Sequence, residues 1–288
     1  MQPPVDPILV TFGPFSVHWY GLLIVTGIML ASTVASYLAK RAGEDPDYIW
    51  DMLLVVIVLG VIGARAYHVF SEPAGGLIGW DYYKEHPVEA LYIWKGGLGI
   101  FGGIIGGILG VVLYSRARKL NPLQWMDFAA PGVALAQSIG RWGNFINQEL
   151  YGPPTDLPWG LLIPLDHRIL PYTDLTQYPL DTLFHPTFLY ESLAALALFL
   201  LLFLAAIRYG EKLKKGDLLV GYLIGYAAIR FFTEMLRPDA WSMGTLAAAQ
   251  VFSILFAACG IIFLIVRHRG TDKEKTEEPQ AKETEETA

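Results

Sequence analysis

The chain reads as an all-α polytopic membrane protein of about seven transmembrane helices, with its N-terminus outside, its C-terminus cytoplasmic and a small external cap. Three observations predict this class. Of 288 residues, 53% are hydrophobic and 17% charged, with a mean hydropathy of +0.40; a soluble domain of this size carries more charge. The apolar residues come in long runs, several close to the roughly 20 residues a bilayer-spanning helix needs. Lysines and arginines cluster after every second run, as cytoplasmic loops require.

The runs can be justified in order. The first covers about residues 17–38 and is followed by Lys40 and Arg41. The second covers about 50–70. The third, about 97–114, is followed by Arg116, Arg118 and Lys119. The fourth, about 123–139, is interrupted by Asp127, Pro131 and Gln137, so it is expected to face protein rather than lipid. The fifth covers about 187–207 and precedes Arg208, Lys212, Lys214 and Lys215. The sixth spans about 218–236, and the seventh, about 246–266, ends at Arg267, His268 and Arg269. The loops between these basic clusters hold acids instead (Glu72, Asp81, Glu85, Glu89), and no Lys or Arg precedes Tyr20. An odd number of spans follows. The first twenty residues lack the basic region of a cleavable signal peptide, so the first helix is expected to act as the membrane signal.

Two parts of the chain fall outside this core. The loop at about 140–186 is rich in Pro, Asp and Tyr and forms the expected cap. The tail 271–288 has seven acids and three lysines and so carries −4 of the formal −6; its composition predicts a disordered, solvated segment. The organisation is therefore a transmembrane domain at 1–270 and a tail at 271–288. The single cysteine, Cys259, lies in the last run, without a partner for a disulfide or a metal site.

In the third run Gly99, Gly103 and Gly107 recur every four residues, with Gly102, Gly106 and Gly110 beside them. Such faces let helices approach closely. Close packing and room for a bulky lipid are both compatible with them.

Polar groups in the runs point to function, because ionisable residues at membrane depth are costly. Residues 140–152 read Gly-Arg-Trp-Gly-Asn-Phe-Ile-Asn-Gln-Glu-Leu-Tyr-Gly and hold Arg141, Asn144, Asn147 and Glu149. In the sixth run Tyr222, Tyr226, Arg230 and Glu234 form one helical stripe. Arg230 lies roughly 18 Å along that helix at 1.5 Å per residue. With the predicted topology, Arg65, Arg141 and Arg230, together with Tyr20, His185, Tyr190 and Glu191, fall near the outer boundary. Interhelical ion pairing is one account of them. A site for an anionic headgroup is the other, since guanidinium grips phosphate with a bidentate fork. A transporter or lipid flippase also uses intramembrane Arg, Glu and Tyr, although such proteins often carry inverted repeats that are not visible here.

Gly140-Arg141-x-Gly143-Asn144-Phe145-x-Asn147-x-Glu149-x-x-Gly152 resembles the signature of the prolipoprotein diacylglyceryl transferase family. Other segments agree in order: His18-Trp19-Tyr20-Gly21, Gly63-Ala64-Arg65-x-Tyr67, Trp94-x-Gly96-Gly97 with Gly102-Gly103, His185-Pro186-x-x-Leu189-Tyr190-Glu191, and Tyr226-x-x-x-Arg230-x-x-x-Glu234. The resemblance covers about residues 15–238. It implies a transferase of the bacterial inner membrane, with its site toward the external face. The reaction it implies moves the diacylglyceryl group of phosphatidylglycerol to the lipobox cysteine of exported prolipoproteins and releases glycerol 1-phosphate. By that resemblance Arg141, Arg230, Glu149 and Tyr20 are the catalytic candidates. Gly143, Asn144, Asn147, Tyr226, Glu234, Arg65, His185, Tyr190 and Glu191 are the substrate-binding ones. No cofactor or metal is implied, and the partners are the two substrates and the bilayer, not nucleic acid. Some members carry a His in the third-helix Gly-rich segment; the aligned residue here is Phe101. The base is then elsewhere (Tyr20, Glu149 and His185 are candidates), or the arginine field lowers the thiol pKa without one.

Overall fold

The computed structural model describes residues 1–4, 6–13, 15–71, 79–238, 242–243 and 246–285, with no side-chain detail for residues 15, 242–243 and 270–285. The chain folds as helices joined by short hairpins. In order these are β1 (Ile8–Phe12), β2 (Phe15–His18), α1 (Trp19–Arg41), α2 (Asp47–Phe70), α3 (Trp80–Glu85), two 3-10 turns, α4 (Ile100–Ala117), α5 (Pro122–Ile146), β3 (Leu161–Leu162), a third 3-10 turn, β4 (Leu183–Phe184), α6 (Thr187–Tyr209), α7 (Asp217–Glu234), β5 (Ser242–Met243), β6 (Leu246–Ala247) and α8 (Ala248–Glu285). The strands form three separate antiparallel pairs, β1–β2, β3–β4 and β5–β6.

Each of the seven expected runs coincides with a long helix. Five of them are long and apolar enough to cross a membrane: Trp19–Arg41, Asp47–Phe70, Ile100–Ala117, Thr187–Tyr209 and Ala248–Arg269. The chain is a mostly helical, multi-pass membrane protein. The remaining two, α5 and α7, carry Asp127, Gln137 and Arg141, and Asp217, Arg230 and Glu234, which lower their hydropathy. At 1.5 Å per residue they still reach about 37 and 27 Å.

Helix α5 runs to Ile146, so the first seven residues expected in the loop are helical instead. Helix α8 continues past the seventh apolar run to Glu285. The reading of 271–288 as a disordered tail concerns residues without described side chains, the last three lying outside the described residues altogether.

The chain divides into two compact units. One is Met1–Ala31 with Ala130–Ala288, the other Ser32–Ala129.

In the Ser32–Ala129 unit, α2 and α4 pack antiparallel through glycine. A Cβ on Gly63 would meet the Gly102 carbonyl, one on Gly106 the Leu59 carbonyl, and one on Gly110 the Val56 backbone at 3.0 Å. The helices are therefore at backbone contact, and the glycine stripe serves packing. Gly107 differs, since its Cβ would sit 3.7 Å from a Val56 methyl, an ordinary contact. Gly106→Ala should cost about 1–3 kcal/mol by overpacking, seen as a drop in thermal midpoint in detergent, while Gly107→Ala should leave that midpoint unchanged. Equal midpoints for the two variants would refute the close contact.

Arg65 sits buried on α2 in the same unit. Its Nε donates to the Ala90 carbonyl (2.8 Å), Nη1 to the Gly96 and Gly97 carbonyls (2.9 and 3.0 Å), and Nη2 to the Glu89 carbonyl (2.7 Å) and the Tyr83 hydroxyl (3.3 Å). A guanidinium has five N–H donors, and all five are used, four on carbonyls of the segment after α3 and one on Tyr83 of α3 itself.

The other unit holds α5 from Ala130 onward, α6–α8, the first part of α1 and the cap. Its helices alternate in direction. Gly27 faces Ala136 and Gly132 faces Ala31; Ser138 bonds Ser192 (3.1 Å); Gly225 faces Leu198 and Gly260 faces Ile224. Helices α5 and α7 thus run one way, and α1, α6 and α8 the other. Ala134, Leu198, Leu202 and Leu218 form the buried seam among α5, α6 and α7.

The cap between α5 and α6 has its own core of Tyr151, Leu161, Ile163, Tyr172, Phe184 and Phe188. Arg168 is buried at its centre. It donates to the carbonyls of Ile163 (3.0 Å), Tyr178 (2.8 Å), Pro179 (3.0 Å) and Leu180 (2.9 Å), tying one loop of the cap to another. The Tyr151 hydroxyl accepts from Ile169 N (2.6 Å) and donates to the His167 carbonyl (3.3 Å). Burial pushes the Tyr151 and Tyr172 hydroxyls above the usual phenol range.

Candidate active site

The antiparallel arrangement brings the end of α5, the start of α6, the end of α7 and the start of α1 together. Arg141 comes from the last turns of α5, Glu191 from the first turns of α6, and Arg230 and Glu234 from the last two turns of α7. Arg141 Nε lies 2.5 Å from Glu191 Oε2. Arg230 Nη1 lies 3.7 Å from the other oxygen of the same carboxylate. Arg230 Nη2 also pairs with Glu234 Oε2, one turn along α7. Glu191 is therefore shared by two guanidiniums on two other helices.

Both carboxylates are almost fully buried, at 7% side-chain exposure, whereas Arg141 and Arg230 keep 24% and 21%. The acids lie behind and the cations in front. The contacts are close but poorly directed: neither Glu191 Oε2 nor Glu234 Oε2 accepts an aligned hydrogen bond. We read them as charge pairs rather than bidentate forks. Such pairs hold the arginines in place and leave N–H groups for another anion.

The carboxamides form a second line. Arg141 Nη1 donates to Asn144 Oδ1 at 3.5 Å. Asn144 Nδ2 (2.9 Å) and Asn147 Nδ2 (3.3 Å) both donate to Glu149 Oε1. Glu149 sits just past the helix, on an exposed turn between Gln148 and Leu150, which have φ of +58° and +55°. Left-handed backbone at two ordinary residues costs about 1–2 kcal/mol each. The Glu149 amide bonds the Asn144 carbonyl (3.0 Å), and Gly152 bonds His185 O (2.9 Å), holding the turn at both ends.

Glycine permits close approach here too. A Cβ on Gly143 would run into the Tyr20 ring, so the start of α1 lies directly against the end of α5. His185 Nδ1 and the Tyr190 hydroxyl lie 3.1 Å apart, and that hydroxyl accepts from Trp159 Nε1 (3.2 Å). This chain ties the cap to the first turn of α6. Tyr226 stacks on Tyr222, with ring centroids 6.1 Å apart, one turn before Arg230.

The structure thus gathers twelve of the thirteen candidates in one unit: Tyr20, Arg141, Gly143, Asn144, Asn147, Glu149, His185, Tyr190, Glu191, Tyr226, Arg230 and Glu234. Arg65 belongs to the other unit, with its donors spent on local acceptors. Phe101 is there as well, its ring 5.8 Å from that of Tyr67. Two residues were not singled out from the sequence. Arg168 gave no signal because a lone arginine in a loop has no period to fit. Gln148 stood at an unassigned position inside the signature.

Comparison with known proteins gives one answer. The family model described as prolipoprotein diacylglyceryl transferase matches residues 7–266. The chain is 41% identical to a phosphatidylglycerol–prolipoprotein diacylglyceryl transferase of Chloroflexus aggregans, over 93% of this chain and 92% of that protein. It is 43% identical to the Synechococcus elongatus protein of the same name, over 90% and 86%. It is 38% identical to that of Streptococcus agalactiae serotype Ia, over 92% and 97%.

Proposed function

The chain belongs to the prolipoprotein diacylglyceryl transferase family, and from that premise we propose that Arg141 and Arg230 form the centre at which it acts. The protein transfers the diacylglyceryl group of phosphatidylglycerol to the lipobox cysteine of prolipoproteins, the first step of lipoprotein maturation. The observation that carries the site assignment is the Glu191 carboxylate, which draws guanidiniums from α5 and α7 to one point.

The chemistry follows from these groups. The acceptor sulfur attacks the glycerol carbon that bears the phosphate, and the carbon–oxygen bond breaks. The electron pair leaves with the phosphate as glycerol 1-phosphate, and the thiol proton is lost. No protein nucleophile is required. Arg141 and Arg230 balance charge as it builds on the departing phosphate. The same field favours thiolate over thiol, whose ordinary pKa is about 8.5. Glu191 and Glu234 hold the arginines, while Asn144 and Asn147 fix the Glu149 carboxylate beside them. Bringing thiol and lipid together supplies the entropic part of the rate.

Seven spans, with the N-terminus outside and the site toward the external face of the inner membrane, complete this reading. Alternating helix directions in the larger unit support it, as do the basic residues after α1, α4, α6 and the apolar part of α8. Residues 1–270 are the catalytic domain and 271–288 a solvated appendage.

The test is transfer of label from phosphatidylglycerol to a cysteine-bearing lipobox peptide by the purified protein. Product on the cysteine is expected. Binding of phosphatidylglycerol without any transfer would instead favour lipid transport.

A further inference from the structure

A cavity of 240 Å³ opens beside the arginine centre, lined by Asn147, Gln148, Glu149, Leu150, Tyr151, His167, Ile169 and Arg237. It shares Asn147 and Glu149 with the site above, but its other walls are the strained turn and the cap. Gln148 is its unusual member. The side chain is 5% exposed. Its Nε2 donates to the Pro4 carbonyl at 3.2 Å, which fixes the orientation of the amide because a carbonyl can only accept. The other end, Oε1, is buried with no hydrogen-bond partner among the described residues. An orphaned buried acceptor costs about 1–3 kcal/mol, and it is held here on a backbone that is itself strained.

We propose that this cavity receives the main chain of the acceptor polypeptide next to its reacting cysteine, with Gln148 Oε1 accepting a main-chain N–H. The inference rests on the transferase reading. Three features select a polypeptide. The missing partner of Gln148 is a donor; a peptide main chain offers one at nearly every residue, whereas phosphatidylglycerol offers donors only in its terminal glycerol hydroxyls. The wall carries a carboxylate (Glu149) together with a guanidinium (Arg237), a mixed polarity that suits the alternating N–H and C=O groups of a main chain. The volume is below the roughly 300–1,000 Å³ of a drug-sized site, which suits a few small residues and not two acyl chains. Leu150 and Ile169 give apolar contact, and Asn147 gives further hydrogen bonding. Because Glu149 accepts from Asn144, which in turn accepts from Arg141, a peptide seated here would present a neighbouring side chain to the arginine centre.

The experiment uses the full chain and a fluorescent cysteine-bearing peptide, with direct binding measured alongside transfer. Gln148→Met keeps length and removes the acceptor. Ile169→Trp fills the cavity from an exposed part of its lining and leaves Gln148 in place. Both should weaken peptide binding and raise the peptide KM about tenfold, the scale of one unmade hydrogen bond to a buried acceptor, while the KM for phosphatidylglycerol holds. In a peptide series with single main-chain N-methyl groups, one position should lose binding to the wild type and lose nothing further with Gln148→Met. Unchanged peptide binding in both variants would overturn the proposal, and so would a raised lipid KM, which would assign the cavity to the headgroup. If the wild type binds peptide, loses it in the variants and yet transfers no lipid, the cavity assignment stands and the transferase reading fails.

Discussion

Arg230→Ala should lower the rate of lipid transfer by about 10²–10³-fold, with Arg141→Ala close to it. Removing a single donor aimed at a developing negative charge has that effect where water is excluded. Arg230 sits at 21% side-chain exposure, between two buried carboxylates, so its charge is held in place by the protein and little screened by solvent. The loss should fall mainly on kcat, because charge on the phosphate oxygen builds as the ester bond breaks. Arg230→Lys should recover only a small part, since an ammonium is a point charge and cannot span Glu191, Glu234 and a phosphate together. The double variant should be little worse than either single one, as for residues that act as a unit. Initial rates at saturating peptide and lipid check this; an Arg230→Ala rate within threefold of wild type would remove it from the site.

Glu191→Gln should destabilise the protein by about 3–5 kcal/mol, the usual result of breaking a buried pair from one side. Here the penalty has a specific origin. Among the described residues Glu191 is the one carboxylate within ion-pair distance of both arginines, so its loss leaves Arg141 without a counter-charge and Arg230 with Glu234 alone. The thermal midpoint in detergent should fall by several degrees. Inorganic phosphate should restore part of it in the variant and less in the wild type, because an anion can take the vacated place. A midpoint unmoved by the substitution would show that Glu191 does not hold the pair.

The sequence was most legible where local periodicity carries the information. Seven apolar runs became seven long helices, and the four-residue stripe on α7 put Arg230 and Glu234 on one face. The two helices with the weakest apolar signal, α5 and α7, are those that deliver Arg141 and Arg230. A side chain that serves chemistry at membrane depth necessarily lowers the hydropathy of the helix that carries it. What spacing could not give is the pairing between helices. Glu191 was expected along a headgroup site, but its place between two arginines depends on the packing of α5, α6 and α7. Arg65 shows the converse. Its motif and depth matched those of the other arginines, and only the path of the chain after α3 showed its donors spent on carbonyls. The two-residue strands of the cap are too short to leave a periodic trace.

The anchoring of the cap by Arg168 has a consequence for acid tolerance. A guanidinium stays protonated throughout the physiological range, and its four acceptors are carbonyl oxygens, so nothing in that contact titrates. Tyr151 and Tyr172, with hydroxyls raised by burial, remain neutral as well. Asp174 is the exception. The Thr176 hydroxyl and amide hold its carboxyl below the usual range, so its contribution is present above the unfolded pKa and is lost as pH falls through the folded one. Acidification should therefore slacken that surface turn and leave the Arg168 contacts in place, whereas any contact that needs a carboxylate anion gives way once the carboxylate is protonated.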